Sequence, residues 1–190
     1  MGRKKKWKKR ATAKKKETQS KVRQIRPIRK TKRQTKYQKN IEKTIPSIGY
    51  SGKIDIEPDG NCLFSSIGCC VGYSGEFVRS EIAKNLPKFR TRFYHLVERM
   101  DDESKQKAWK RFLKESRTNG IWGGSKHVQV ASEIWGCSFR IFTVSREGKF
   151  QFWTDIWPFG KTPPANEEKC PDYAFLYNSV HYDVLVKNEK

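Results

Sequence analysis

The chain has 190 residues, enough for one ordinary domain with a real core, and its 35% hydrophobic and 13% aromatic content suits a globular protein. The formal charge of +21 is unevenly spread: residues 1 to 43 carry 20 Lys/Arg against 2 Glu, net +18, while the rest carries 21 against 18, net +3. Dividing the charge in this way removes the case for the body as a nucleic-acid-binding domain and confines the basicity to a tail.

The five cysteines (Cys62, Cys69, Cys70, Cys137 and Cys170) are odd in number and scattered, which points to free thiols in a reducing compartment. The basic start has no apolar h-region behind it, and no stretch approaches the roughly 18 apolar residues of a membrane span. The expectation is an intracellular protein, cytoplasmic or nuclear, without a membrane partner.

In chain order, residues 1–45 hold Lys or Arg at nearly every second position, with too little apolar surface to offset ordering entropy. A disordered basic tail is expected there, with Pro46-Ser47-Ile48-Gly49 as linker and a folded domain over 46–190. Asp59-Gly60-Asn61 is turn chemistry that leads into a short helix beginning with Cys62, Leu63 and Phe64. Ser74 is placed to cap a second helix carrying Phe77, Val78, Ile82 and Leu86. Phe89, Phe93, Leu96, Val97 and Met100 share one helical face. Another helix is expected over Asp101 to Arg117, with Ala108, Trp109, Phe112 and Leu113 inward and Asn119-Gly120 closing it. A fifth runs from Lys126 to Trp135, capped by Ser125 and stopped by Gly136.

Beyond Gly136 the period becomes strand-like. Segments Phe139 to Ser145 and Lys149 to Trp153 flank Arg146-Glu147-Gly148 as a hairpin, Thr154 to Pro171 is a proline-rich loop, and Tyr173 to Tyr177 with Val180 to Val186 flank Asn178-Ser179 as a second hairpin. Helices first and strands later give an α+β class.

Cys62 sits where chemistry is possible. A free thiol with an ordinary pKa of about 8.5 needs help to become a thiolate, and a helix N-terminus and an imidazolium both supply it. On a strand, His181 and Asp183 point to one face, so a carboxylate can hold one imidazole nitrogen while the other faces sulfur, with Tyr182 packed on the opposite face. Backbone N–H groups of the turn at Asp59 to Cys62 are positioned for a developing oxyanion, and Gly60 permits the tight path. Asp59 is also the first alternative to Asp183 as the group orienting His181.

The series Asp59-Gly60-Asn61-Cys62-Leu63-Phe64, Val78-Arg79-Ser80-Glu81-Ile82, Trp122-Gly123-Gly124 and His181-Tyr182-Asp183 resembles the ovarian tumour (OTU) family of cysteine proteases over about Gly52 to Val186. The resemblance implies a papain-like domain that removes ubiquitin or a ubiquitin-like modifier from conjugates. It implies Cys62 as nucleophile, His181 as general base, Asp183 as orienting acid and the Asp59 region as oxyanion hole, with no cofactor. One departure is visible: Trp122 to His127 lacks the acidic residue that often follows the glycines in relatives.

The remaining signals have plainer readings. Cys69 and Cys70 lack Cys-x-x-Cys partners and read as packing at a helix end rather than zinc ligands. His95 and His127 read as surface or packing residues. Trp122 reads as a groove-lining residue or a core anchor. In the tail, blocks such as Arg3-Lys4-Lys5-Lys6 exceed what solubility needs and point to nucleic-acid backbone contact or an import receptor through residues 1–43. The alternative function is accordingly a nucleic-acid-associated factor whose folded domain is an inactive modifier-binding module.

Overall fold

A computed structural model describes residues 39–145, 149–161 and 171–188. Most of the expected tail, and the Arg146-Glu147-Gly148 turn, lie outside these residues. The helices are α1 (Cys62–Val71), α2 (Gly75–Asn85), α3 (Lys105–Arg117) and α4 (Ser125–Trp135), and the strands are β1 (Tyr50–Ile54), β2 (Phe139–Val144), β3 (Phe150–Ile156), β4 (Tyr173–Tyr177) and β5 (Tyr182–Lys187). The strands form one mixed sheet in the order β1-β5-β4-β2-β3, and the architecture is α+β.

The two expected hairpins exist as the antiparallel pairs β2 with β3 and β4 with β5. They join through a parallel pairing of β2 with β4, and β1 pairs antiparallel with β5 at the other edge. Alternation along the strands feeds two cores. Phe139, Ile141, Phe175, Tyr182 and Val184 pack with Leu63, Phe64, Ile67, Val78 and Val128 of the helices. Phe142, Val144, Ala174, Leu176 and Leu185 turn to the other face, where Ile41, Ile45 and Tyr50 cover them.

That second core moves the inner boundary of the tail. Residues 39–44 are helical, Ile45–Ile48 form a 3₁₀ turn, and Ile41 and Ile45 are 3% and 1% exposed. The linker expected at Pro46 to Gly49 is part of this packed unit, ended by Gly49 at φ 84°. An apolar residue every four positions was enough to anchor a short segment against the sheet despite its charged surroundings.

Other departures have local causes. The segment expected as one helix from Phe89 is instead a 3₁₀ turn at Leu86–Phe89 containing Pro87, a single helical turn at Arg90–Phe93 and a 3₁₀ turn at Tyr94–Leu96. Phe93 and Val97 are buried, whereas Leu96 and Met100 are 53% and 62% exposed. Helix α3 begins at Lys105 rather than Asp101, because Asp102 has φ 57° and the Ser104 hydroxyl caps the helix by accepting from Lys107 N–H at 3.3 Å. The cap expected of Ser74 is present, accepting from Phe77 N–H at 3.2 Å. At α4 the N-cap position is Gly124, and Ser125 is the first helical residue. Strand β3 continues past Thr154, held by a two-pronged Arg140–Asp155 pair at 2.8 and 2.7 Å across β2 and β3.

Candidate active site

Cys62 is the first residue of α1 and is 5% exposed. The turn before it is built by side chains. The Asp59 carboxylate accepts from Asn61 N–H at 2.8 Å and from Asn61 Nδ2 at 3.2 Å. Gly60 has φ +79° and runs against the backbone of Gly120. Asn61 Oδ1 in turn accepts from Arg79 Nη2 at 2.7 Å and from Gly120 N–H at 3.1 Å.

Arg79 organises this side of the site. It is 4% exposed and stacks over the Phe64 ring at 3.8 Å. Its guanidinium also donates to the carbonyls of Ile121 at 2.6 Å, Gly60 at 3.3 Å and Ser116 at 3.4 Å. One planar fork thus ties α2 to the turn before Cys62, the end of α3 and the loop leading to Trp122.

His127 supports the same region from α4. Its Nδ1 accepts from Gly124 N–H at 3.0 Å, so Nε2 carries the proton and donates to Ser116 Oγ at 2.9 Å, and Ser116 Oγ donates to Phe112 O at 2.7 Å. Burial, with the nearby Arg79 charge, lowers its pKa to about 4 and keeps the ring neutral. His127 is therefore a hydrogen-bonded core group, 5% exposed, whereas His95 lies at the surface. Trp122 is 62% exposed, which excludes the core-anchor reading.

On the opposite side, His181 immediately precedes β5 and Asp183 lies on it. His181 Nε2 donates to Asp183 Oδ1 at 3.0 Å, and Asp183 Oδ1 also accepts from Ile56 N–H at 3.1 Å. Asp183 Oδ2 accepts from Lys53 Nζ at 3.1 Å, and Lys53 pairs with Asp55 as well. Tyr182 points the other way into the helix-side core, stacked on Tyr177 at 4.5 Å.

The remaining imidazole nitrogen, His181 Nδ1, is buried and hydrogen-bonded to nothing among the described residues. Burial disfavours the imidazolium, but the Asp183 hydrogen bond, the adjacent Cys62 sulfur and the Asp183 charge outweigh it and raise the His181 pKa to about 9. Cys62 is thus close enough to act on His181 electrostatically while standing outside hydrogen-bond geometry with Nδ1. Asp183 itself is buried, which favours its neutral form, yet the His181 hydrogen bond, Lys53 and Ile56 hold its pKa below the usual carboxylate value.

Of the four residues singled out in the sequence, Cys62, His181 and Asp183 converge, while Asp59 closes the turn before Cys62 and bonds to Asn61. The Asn61 N–H is spent on Asp59, so the donors this turn leaves for an anion at sulfur are the N–H groups of Gly60 and Cys62, the latter in the first turn of α1 where no intrahelical acceptor exists. Lys53 and Ile56 escaped the sequence reading, while Arg79 stood in the Val78 to Ile82 block without a role assigned to it.

The family described as OTU-like cysteine protease matches residues 57–182. A comparison with curated proteins gives no match. Among solved structures, the OTUD1 OTU domain superposes with a TM-score of 0.63 at 16% identity, covering 80% of this chain and 95% of that one. The Hazara virus OTU bound to ubiquitin gives 0.55 at 18% identity, covering 73% and 82%. A ceOTUB1 ubiquitin aldehyde UBC13~Ub complex gives 0.57 at 12% identity, covering 85% and 88%. At these identities the likeness concerns the fold, and it is the family match over more than half of the length, on a body that carries Cys62, His181 and Asp183 in one place, that identifies the chain as a member of the OTU-like cysteine protease family.

Proposed function

We propose that the protein is a cysteine isopeptidase that removes ubiquitin or a ubiquitin-like modifier from its conjugates. The observation that carries this reading is the grouping of Asp183, His181 and Cys62, with a 3.0 Å bond from the imidazole to the carboxylate and the Cys62 sulfur near enough to the ring to favour its protonated form. Two of the solved structures of similar fold are complexes with ubiquitin or ubiquitin aldehyde, which supports the choice of modifier.

The Cys62 thiolate attacks the carbonyl carbon of the modifier's C-terminal residue, forming the C–S bond. The N–H groups of Gly60 and Cys62 receive the negative charge that moves onto oxygen. The His181 imidazolium gives its proton to the departing lysine amine as the C–N bond breaks. His181, now neutral, takes one proton from water as the water attacks the thioester; the C–S bond breaks to restore the thiolate beside the imidazolium, and the released carboxylic acid gives its proton to solvent. Asp183 holds the ring in the tautomer and orientation that both transfers require.

The test is labelling by a ubiquitin derivative bearing a C-terminal electrophile. A covalent adduct at Cys62, lost in Cys62→Ala and accompanied by cleavage of ubiquitin conjugates, supports the assignment. An unlabelled, correctly folded protein removes it and favours a modifier-binding module.

Residues 1–43, with their net charge of +18, support a second, independent role in contact with a nucleic-acid backbone or an import receptor. Binding to a mixed-sequence duplex that weakens steeply with salt and disappears on deletion of residues 1–38 tests the first of these. No helix among the described residues is long and apolar enough to cross a membrane, and we place the protein in the cytoplasm or nucleus.

A further inference from the structure

Lys53 is an unusual residue to find in this position. It lies on β1, its side chain is only 6% exposed, and its ammonium sits between Asp183 and Asp55, whose own side chain is 67% exposed. A buried ammonium is costly unless it is paired, and an aliphatic side chain would fill the same space without that cost. Docking of β1 does not require the charge, because the strand is already held by backbone pairing of Gly52 with Val186, Lys53 with Leu185 and Ile54 with Val184.

What the ammonium does is divide the two oxygens of Asp183. Oδ2 is taken by Lys53 Nζ at 3.1 Å, which leaves Oδ1 to accept from both His181 Nε2 and Ile56 N–H. The carboxylate is therefore fixed in rotation about its terminal bond. We propose that Lys53 is a positioning residue for the reaction centre, holding the Asp183 carboxylate oriented so that Oδ1 stays on His181. This inference rests on the isopeptidase reading only for its consequence in turnover; the positioning itself is a property of the free protein.

The charges around this centre are few. His181 faces Asp183 and, from α1, Cys62. Asp183 faces Lys53 on β1, Lys53 faces Asp55 just beyond that strand, and Cys62 is further approached by Tyr182 and by Arg79 of α2. Cys62, His181, Asp183, Lys53 and Asp55 thus form a sequence of alternating sign when the first two are an ion pair. Deleting the Lys53 cation leaves a surplus negative charge beside His181, so every proton nearby is held more tightly.

The full chain is compared as wild type, Lys53→Met, Lys53→Gln, Lys53→Arg and Asp55→Asn. Two readouts need no substrate: the His181 imidazole titration by NMR, and the pH dependence of Cys62 alkylation by iodoacetamide, followed by mass at the Cys62 peptide. The uncharged replacements should move the His181 midpoint upward by about half a pH unit or more and slow Cys62 alkylation several-fold near neutrality. Lys53→Arg should stay close to wild type in both, and Asp55→Asn should move the midpoint slightly downward.

A folded Lys53→Met or Lys53→Gln protein with an unmoved midpoint overturns the proposal, as does Lys53→Arg behaving like Lys53→Met. Should neither uncharged variant fold, Asp55→Asn decides, and an unmoved or raised midpoint there overturns it. In turnover of ubiquitin conjugates, the uncharged variants should lose about tenfold in kcat with KM little changed. A wild type that cleaves no conjugate while its His181 midpoint still answers to Lys53 removes the isopeptidase reading and leaves the positioning role standing.

Discussion

Gly60 and Gly120 meet backbone to backbone: a Cβ on Gly60 would lie 2.2 Å from the Gly120 carbonyl oxygen and 2.7 Å from its carbonyl carbon. The contact fixes the height of the turn from which Cys62 emerges, because neither partner is a side chain that could swing away. Gly60 also has φ +79°, a region that costs an L-residue about 1–2 kcal/mol. Gly60→Ala therefore carries both strain and a clash. The expected loss is about 2–4 kcal/mol in chemical denaturation, together with a fall in Cys62 labelling by an active-site probe measured where the variant is still folded. A variant of wild-type stability and reactivity would show that the turn relaxes freely.

Arg79 gives a prediction about chemistry rather than size. Its guanidinium serves Asn61 Oδ1 and three carbonyls at once, on a face where it is 4% exposed. An ammonium on a flexible stem cannot span these acceptors, so Arg79→Lys should behave almost as badly as Arg79→Leu. Both should cost about 2–4 kcal/mol, since buried acceptors are left without donors. Urea unfolding checks this, and a lysine variant within about 0.5 kcal/mol of wild type would contradict it.

The sequence was informative where spacing alone determines position. A turn triplet before Cys62, and a two-residue separation of His181 and Asp183, brought three side chains together, although His181 lies just ahead of β5 rather than on it. Ser74 and Gly136 marked helix ends through capping chemistry that is local by nature. What stayed hidden was long-range. Lys53 and Ile56 reach Asp183 across 130 and 127 residues of chain, and nothing in Tyr50-Ser51-Gly52-Lys53-Ile54 announces a strand that pairs with β5. The parallel junction of β2 with β4 was hidden for the same reason, because hairpin signals report only neighbours in sequence. The apparent helical face from Phe89 to Met100 misled because the 3₁₀ turn at Tyr94–Leu96 and the extended Val97 interrupt a pattern that counts only apolar spacing.

The buried His127 and the half-buried His181 should give stability a pH dependence of opposite sign in separate windows. His127 has its pKa lowered from 6.5 to about 4. Between those values the unfolded chain binds a proton that the folded one rejects, so its contribution is full above about 6.5 and declines as pH falls towards 4. His181 has its pKa raised from 6.5 to about 9. There the folded chain keeps the proton longer, so the contribution is present below about 6.5 and declines as pH rises through 9. Each full proton difference gives a slope of about 1.4 kcal/mol per pH unit. Denaturation measured from pH 4.5 to 9.5 should show His127→Asn flattening the acid side and His181→Gln flattening the alkaline side, each relative to wild type. Identical slopes in variant and wild type would contradict the assignment.

Asp183→Asn separates orientation from charge. The carboxylate presents Oδ1 to two donors, His181 Nε2 and Ile56 N–H, and Oδ2 to a third, Lys53 Nζ. An amide has one oxygen and one NH₂ group, so it cannot satisfy both sides. With its oxygen towards His181, the NH₂ faces the Lys53 ammonium, donor against donor. With the amide flipped, Lys53 is satisfied, but His181 and Ile56 lose their acceptor, and the imidazole is pressed towards the tautomer that carries its proton on Nδ1, facing Cys62. In either orientation the imidazolium loses its buried counter-charge, so the His181 pKa should fall from about 9. The expected result is a fall in kcat on the order of 10²-fold or more with a smaller change in KM, and an alkaline limb of the rate profile displaced to lower pH. Asp59 offers the contrast. Its carboxylate bonds to Asn61 rather than to His181, so Asp59→Asn should lower the rate through a loosened turn while leaving the His181 titration where it is in the wild type; a His181 midpoint that followed Asp59 instead of Asp183 would reverse the two roles.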